Sequence, residues 1–327
     1  MMEKRLGNRL SKQGNLTLFM FILLMVIIVV VSIIQPKFLN TANIRNVINQ
    51  QSILIMVGVT ITFLLITGNF DLSVGGIIGA SGVMCAFFCQ SVSQGGAGFS
   101  FPVAIILALL IAVAIGAANA YIVVRLGVAS VIATLGTMSI ARGLAYIFAK
   151  GSMVELGLPA DFRVFGSTDI GGFLSFPMLF MIITVLVFLF IQNKTVFGQR
   201  IYYIGANRKA ALLSGIKVGR QISILYIISG ALAGFAGILL ASKLGAGDCK
   251  VGAGYEFDAV VAVVLGGTSI LGGAGSVVGM VVGVFIIGIL QNTMNLFGAA
   301  PDWQEIVKGI VIIAAILFQR LAHRWKA

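Results

Sequence analysis

Charge is scarce in this chain: Lys, Arg, Asp and Glu make up 10% of its 327 residues, where a soluble domain carries roughly a quarter. With 59% hydrophobic residues and a mean hydropathy of +1.08, no water-soluble fold hides so much apolar surface, so the solvent is lipid. Histidine is nearly absent, the single His323 lying close to the C-terminus. The three cysteines form no framework: Cys85 and Cys89 are a helical turn apart in an apolar run, and Cys249 falls in a loop. These residues are too few to ligate a metal, and no cofactor is expected. There is no Gly-x-x-x-x-Gly-Lys-Ser/Thr segment, which excludes nucleotide binding through a phosphate loop. A membrane enzyme would need polar groups clustered at one depth, and none stand out, so no catalytic residue is assigned.

What is present is length without polarity. The apolar runs extend for about 18 to 22 residues, the length of membrane helices rather than of the ten-residue alternating segments of a barrel. Forty-one glycines suit membrane helices, where they permit close backbone approach and local unwinding. Spans are expected near Leu16–Ile34, Ile48–Thr67, Leu72–Val92, Pro102–Val124, Val131–Ala149, Phe173–Gln192, Gln221–Ser242, Phe257–Gly266, Val277–Asn295 and Trp303–Leu321. That gives an all-α, polytopic membrane protein of about ten helices, a single transmembrane domain over residues 1–327. The eighth span is too short to cross unless it continues into the glycine-rich stretch after it. The first apolar run is too long for a signal peptide and lacks a small-residue cleavage site, so it reads as a retained helix.

The net charge of +12 marks orientation rather than nucleic-acid binding. With the N-terminus placed in the cytoplasm, the inside segments are the N-terminal tail, the neighbourhood of Arg125, residues 193–220 and the C-terminal tail. They hold fourteen lysines and arginines against one acid, Glu3; the outside loops hold six basic residues and seven acids. Both termini are therefore expected inside. Gly68–Gly75 and Gly266–Gly273 share outer glycines at one spacing, both open onto an apolar helix, and both fall on one side of the membrane. A parallel repeat is one reading of that echo.

Four segments carry polar residues worth weighing. Thr67–Gly76 interrupts two apolar helices; Asp71 within it either faces a cavity or caps the following helix. Residues 193–220 form the one long cytoplasmic loop, in which Asn207 can cap a short helix, Arg208–Ser214, ending at Gly215. That helix is either a docking knob for a soluble partner or an interfacial helix held at lipid headgroups by Arg200, Arg208 and Lys209. Gly252–Ala259 leads from an outer loop into a span, carrying Glu256 and Asp258. Thr134–Gly143 sets hydroxyls and Arg142 along one span, where helix packing competes with a path-lining role; Asn119, Gln291 and Asn292 carry the same ambiguity.

In these segments the chain closely resembles the permeases of ribose/xylose/arabinose-type ABC importers, members of the branched-chain amino acid and sugar permease superfamily. The likeness rests on Thr67–Gly76, Ala133–Gly143, Gly198–Ile216 and Gly254–Gly275, and runs from the first span nearly to the C-terminus. One departure is Asn69-Phe70, where the family pattern has Gly-Ile. The resemblance implies a vitamin B12-importer-like fold in the bacterial inner membrane. It also implies a monosaccharide cargo, a separate cytoplasmic ABC ATPase, a periplasmic or lipid-anchored sugar-binding protein, and a second permease, either a further copy or a paralogue. The loop becomes an ATPase-coupling element through Gly198, Arg200, Gly205, Asn207, Ala210, Ala211, Ser214 and Gly215. The substrate path is expected along Asn69, Asp71, Ser73, Asn119, Thr134, Thr137, Arg142, Asp258 and Asn292. Binding-protein docking is expected at Glu155, Asp161, Arg163, Lys250 and Glu256. An ion-coupled secondary transporter is the alternative, though the chain offers it only Asp71 and Asp258 as buried acids.

Overall fold

The structure, a computed structural model, describes residues 2–300, 302–311 and 313. Its helices are α1 (Met2–Ile34), α2 (Thr41–Ile66), α3 (Val74–Cys89), α4 (Phe101–Ala120), α5 (Ser130–Ala149), α6 (Ala160–Ser167), α7 (Phe176–Lys194), α8 (Val196–Ala206), α9 (Arg208–Leu213), α10 (Val218–Leu244), α11 (Tyr255–Leu265) and α12 (Val277–Leu296). A two-residue hairpin, β1 (Asp169–Ile170) and β2 (Leu174–Ser175), precedes α7, and residues 302–311 are helical. Six of these helices, α2, α4, α5, α7, α10 and α12, are long and apolar enough to cross a membrane. The expected tenth span is described only in part: Arg320, His323, Arg324 and Lys326 lie outside the described residues, as do the side chains of Lys4, Arg5, Arg9 and Lys12.

Local chemistry sets the ends. Asn40 caps α2 by accepting from the Ala42 N–H at 2.9 Å, and Ser276 caps α12 through the Gly279 N–H at 2.9 Å. Pro102 and Pro177 stand in the first turns of α4 and α7, where a missing N–H costs nothing. α10 ends at Gly245, left-handed with φ 70°.

Burial sorts the helices into an inner and an outer set. Every residue of α2 from Gln51 to Ile66 is buried, so this helix, apolar all round, is the core of the bundle. α7, α10, α11 and α12 pack beside it and α3 packs on α10, while α4, α5 and α7 turn residues such as Leu110, Ile147 and Phe190 outward. Without water to drive helices together, small residues let backbones approach. α10 uses Gly230 against Gly116 of α4, Gly234 against Ala112, and Gly237 against Ile78 and Ser81 of α3.

The short helix α11, expected as the eighth span, is preceded by an irregular leg instead of being extended beyond its C-terminal end. Residues 245–254 run unwound alongside α3, antiparallel to it: Gly247 packs on Val83 and Ala86, Val251 on Gly79, and Gly252 on Gly75. Only then does α11 begin. Gly75 and Gly79, one turn apart on α3, leave the room this non-helical backbone needs, since a Cβ at either would meet its carbonyls. Irregular backbone persists in a membrane bundle only where protein covers it, as here. The sequence has Gly252–Ala259 lead from an outer loop into a span; in the structure the residues before α11 already pack against α3.

Candidate functional site

Two helix breaks meet at one end of the bundle. The first follows α2, where Gly68 (φ 77°) turns the chain and the Asn69 amide donates to the Thr67 hydroxyl at 2.9 Å. The second, residues 266–276, separates α11 from α12. They join where the Gly273 N–H donates to the Ile66 carbonyl at 2.8 Å, so the two echoing glycine segments of the sequence are spatial neighbours.

The 193–220 segment folds onto this junction. Thr195 caps α8 through the Gly198 N–H at 3.1 Å, and Asn207 caps α9 through the Ala210 N–H at 3.0 Å. α9 ends before Gly215, left-handed at φ 77°, as the sequence indicates. α8 is new: the expected loop around Arg200 is a helix that buries Gly198, Ile201 and Ile204. Gly205 lies so close to both breaks that a Cβ there would overlap the Ile66 carbonyl and approach the Gly273 nitrogen. The Tyr202 hydroxyl donates to the Gly275 carbonyl at 2.6 Å, and burial pushes that phenol up to about 12. α9 stands proud of this root, with Ala211 buried against it and Leu212 and Leu213 54% and 91% exposed.

Above the first break lies a closed polar network. Asp71 accepts from the Ser73 N–H (3.0 Å) and hydroxyl (2.5 Å) on Oδ1, and from the Ser229 hydroxyl (2.6 Å) on Oδ2. The Asn119 amide donates to Ser73 Oγ at 2.8 Å and accepts from the Thr137 hydroxyl at 2.6 Å. Thr134 accepts from the Leu72 N–H at 3.1 Å, and the Tyr226 hydroxyl donates to the Phe70 carbonyl at 2.8 Å. Asn69, Asp71, Ser73, Asn119, Thr134 and Thr137 are therefore brought together, but all six are buried and bonded to protein. Their hydrogen bonds clamp the break to α4, α5 and α10. Asp71 does not cap in the ordinary sense; it closes a turn on Ser73, which starts α3.

Charged residues inside the bundle pair across helices. Arg142 of α5 donates to Glu256 Oε1 of α11 at 2.7 Å; the Glu256 side chain is 2% exposed and that of Arg142 35%. The unwound 245–254 leg carries Glu256 inward to Gly75. Its other oxygen has no protein partner. Asp258 pairs with Lys308 at 3.1 Å, and Lys308 with Glu305 at 2.9 Å, tying α11 to the 302–311 helix. Asn292 exchanges two amide hydrogen bonds with Asn43, at 2.8 and 3.0 Å, and so joins α12 to α2. Glu155, Asp161, Arg163 and Lys250 are exposed, as docking requires. Arg163 donates to the Glu155 carbonyl at 3.2 Å, near the bridge of Val154 to Gly247.

Sequence reasoning missed Ser229, Tyr226 and Tyr202. Each is a lone polar residue in an apolar or mixed run, a signal that marks a buried hydrogen bond without naming its partner. Among the described residues no group of acids, cysteines and histidines is placed to hold a metal.

Comparison with known proteins adds ancestry to this geometry. Residues 43–316 match the family model described as branched-chain amino acid transport system / permease component. The ribose import permease protein RbsC of Bacillus subtilis is 40% identical over 303 residues, 92% of this chain and 91% of its own length. The protein of the same name from Escherichia coli K12 is 37% identical over 298 residues, 90% of this chain and 91% of that one. The galactose/methyl galactoside import permease protein MglC of E. coli K12 is 33% identical over 327 residues, 96% of each chain. No solved structure matches. With a bundle of membrane-length helices and a family match across most of its length, the chain belongs to the branched-chain amino acid transport system permease-component family, a family of transport subunits and not of enzymes.

Proposed function

We propose that this chain is the membrane-spanning subunit of an ABC importer that moves a monosaccharide, ribose or a near relative, into the cytoplasm. A binding protein, periplasmic or lipid-anchored, supplies the sugar, and a separate ATPase supplies the energy. The importing relatives support the cargo class. One structural observation carries the mechanism: α8 is seated on both helix breaks through Tyr202 and Gly205, while α9 offers Leu212 and Leu213 outward. An ATPase gripping α9 pushes on α8, and the push arrives at α2–α3 and α11–α12 together. α11 carries Glu256, so the same displacement works on its pairing with Arg142. That guanidinium, partly exposed on α5, is the residue we place on the sugar path; Asp258 acts through its hold on the 302–311 helix.

In this reading residues 1–327 form one permease domain with about ten spans in a vitamin B12-importer-like arrangement. It sits in the bacterial inner membrane, both termini and the 193–220 coupling loop cytoplasmic. A second permease, identical or paralogous, completes the pathway, and Glu155, Asp161, Arg163 and Lys250 receive the binding protein. The test is uptake of labelled ribose and galactose by vesicles containing the permease, its ATPase and its binding protein. Uptake that requires all three and ATP is the expected result. Sugar movement by the permease alone on an ion gradient would overturn the reading in favour of a secondary transporter.

A further inference from the structure

At the N-terminal end of α10 a cavity of about 430 Å³ is lined by Arg200, Gly215, Lys217, Arg220, Gln221 and Ile224. Three of the six are cations, and none of the three makes an ion pair among the described residues. The chain supplies no counter-charge nearby in sequence, since no acid occurs between Asp169 and Asp248. Like charges around one cavity repel. The start of α10 adds to the positive potential: Lys217 at its cap position makes no side-chain capping bond, and although the Val218 N–H donates to the Ile216 carbonyl at 2.8 Å, the next N–H groups of the first turn stay at the positive end of the helix without a cap. An anion is the missing component.

Gln221 narrows the chemistry. It is 6% exposed, and its side-chain oxygen has no hydrogen-bond partner. A buried acceptor left unpaired is costly, and a bare phosphate dianion brings no donor to satisfy it. A phosphate ester that also carries hydroxyl groups does both jobs: its anionic oxygens meet the cations and a hydroxyl donates to Gln221. The apolar side of the cavity is Ile224, and Ile227, one turn further along α10, is 37% exposed, a track on which an acyl chain can lie.

We propose that this cavity binds the headgroup of an anionic phospholipid bearing free hydroxyls, as phosphatidylglycerol does. The inference stands on the cavity's chemistry and does not depend on the transport reading. Free glycerol 3-phosphate presents the same groups without the acyl chains.

The experiment is native mass spectrometry of the full-length protein released from vesicles of phosphatidylcholine and phosphatidylglycerol in equal amounts. The expected result is one phosphatidylglycerol retained per chain, several-fold in excess over phosphatidylcholine. The Lys217→Gln/Arg220→Gln variant loses that excess, and Arg163→Gln, remote from the cavity, keeps it. Gln221→Leu, close in size, still prefers anionic lipid but loses the preference for phosphatidylglycerol over phosphatidic acid, which lacks headgroup hydroxyls. Unfolding midpoints measured in phosphatidylcholine alone show that each variant is folded. Glycerol 3-phosphate added during release separates the sources: displacement of the lipid assigns the site to the free ester, and retention assigns it to the lipid. Equal retention of both lipids by the unaltered protein, or an excess that survives in Lys217→Gln/Arg220→Gln, overturns the proposal.

Discussion

Asp71 accepts three hydrogen bonds, all from uncharged groups, and has no cation beside it among the described residues. Asp71→Asn keeps the shape but turns one acceptor into a donor facing Ser73 or Ser229, a mismatch costing about 1–3 kcal/mol. The variant is expected to insert normally, unfold earlier in detergent and transport slowly; wild-type uptake would reduce Asp71 to a replaceable turn residue. Glu256→Gln strikes a different interaction. Removing one partner of a buried ion pair costs about 3–5 kcal/mol, and the lower end applies here because Arg142 is partly exposed. Denaturant unfolding in detergent measures it, and an unchanged midpoint would show that Arg142 finds another partner. Thr67–Gly76 is legible in the sequence as a polar break. Its bond to Ser229 is not, because 158 residues separate the two and a single serine in an apolar run looks like any packing residue.

Helices carry the next set of consequences. The face of α3 bearing Gly75 and Gly79 exists to admit the unwound 245–254 leg. A Cβ at Gly79 would come within 2.6 Å of the Val251 carbonyl, so Gly79→Ala is expected to cost about 1–3 kcal/mol through overpacking, read as a lowered unfolding midpoint. At α8, Gly205→Asp drives a charged side chain into the Ile66 carbonyl and is expected to uncouple ATPase binding; a pull-down of undiminished strength would refute that role. Tyr202→Phe removes only the bond to Gly275. Burial pushes the Tyr202 hydroxyl up to about 12 in the folded chain, against about 10 unfolded. Its contribution is therefore full below pH 10 and is lost as pH rises from about 10 to 12. Wild type is expected to lose more stability than Tyr202→Phe across that window, in unfolding measured at stepped pH. The cap at Asn207 is legible because Asn followed by a short apolar helix and Gly is a local pattern. α8 is not, since Ile201, Tyr202, Tyr203 and Ile204 favour strand as readily as helix, and only contact with the breaks decides.

For the whole molecule, the proposed orientation puts α9 in the cytosol and Lys250 on the far side. In a background with Cys85, Cys89 and Cys249 replaced, Leu213→Cys should react with an impermeant thiol reagent only in inside-out vesicles, and Lys250→Cys only in right-side-out cells. Reaction of Leu213→Cys from outside would invert the topology and remove the ATPase contact with it. Because α8 touches both breaks, mechanical force is expected to reach α2 and α11 together. Spin labels at Gly68 and Gly272 should then keep a constant separation through the ATP cycle while both move relative to α4.

By itself the sequence determined the solvent, the helical class and most helix limits, because burial in lipid demands long apolar runs and self-satisfied backbones, and both are local properties of the chain. It also determined the breaks and the α9 cap, which local glycine, aspartate and asparagine chemistry sets. Only the tertiary structure decided that the polar residues of the first break bond to α4, α5 and α10, that Glu256 lies inside against Arg142, and that residues 245–254 run unwound along α3. Each of these depends on which backbones approach across the bundle, and glycines permit such approaches without specifying them.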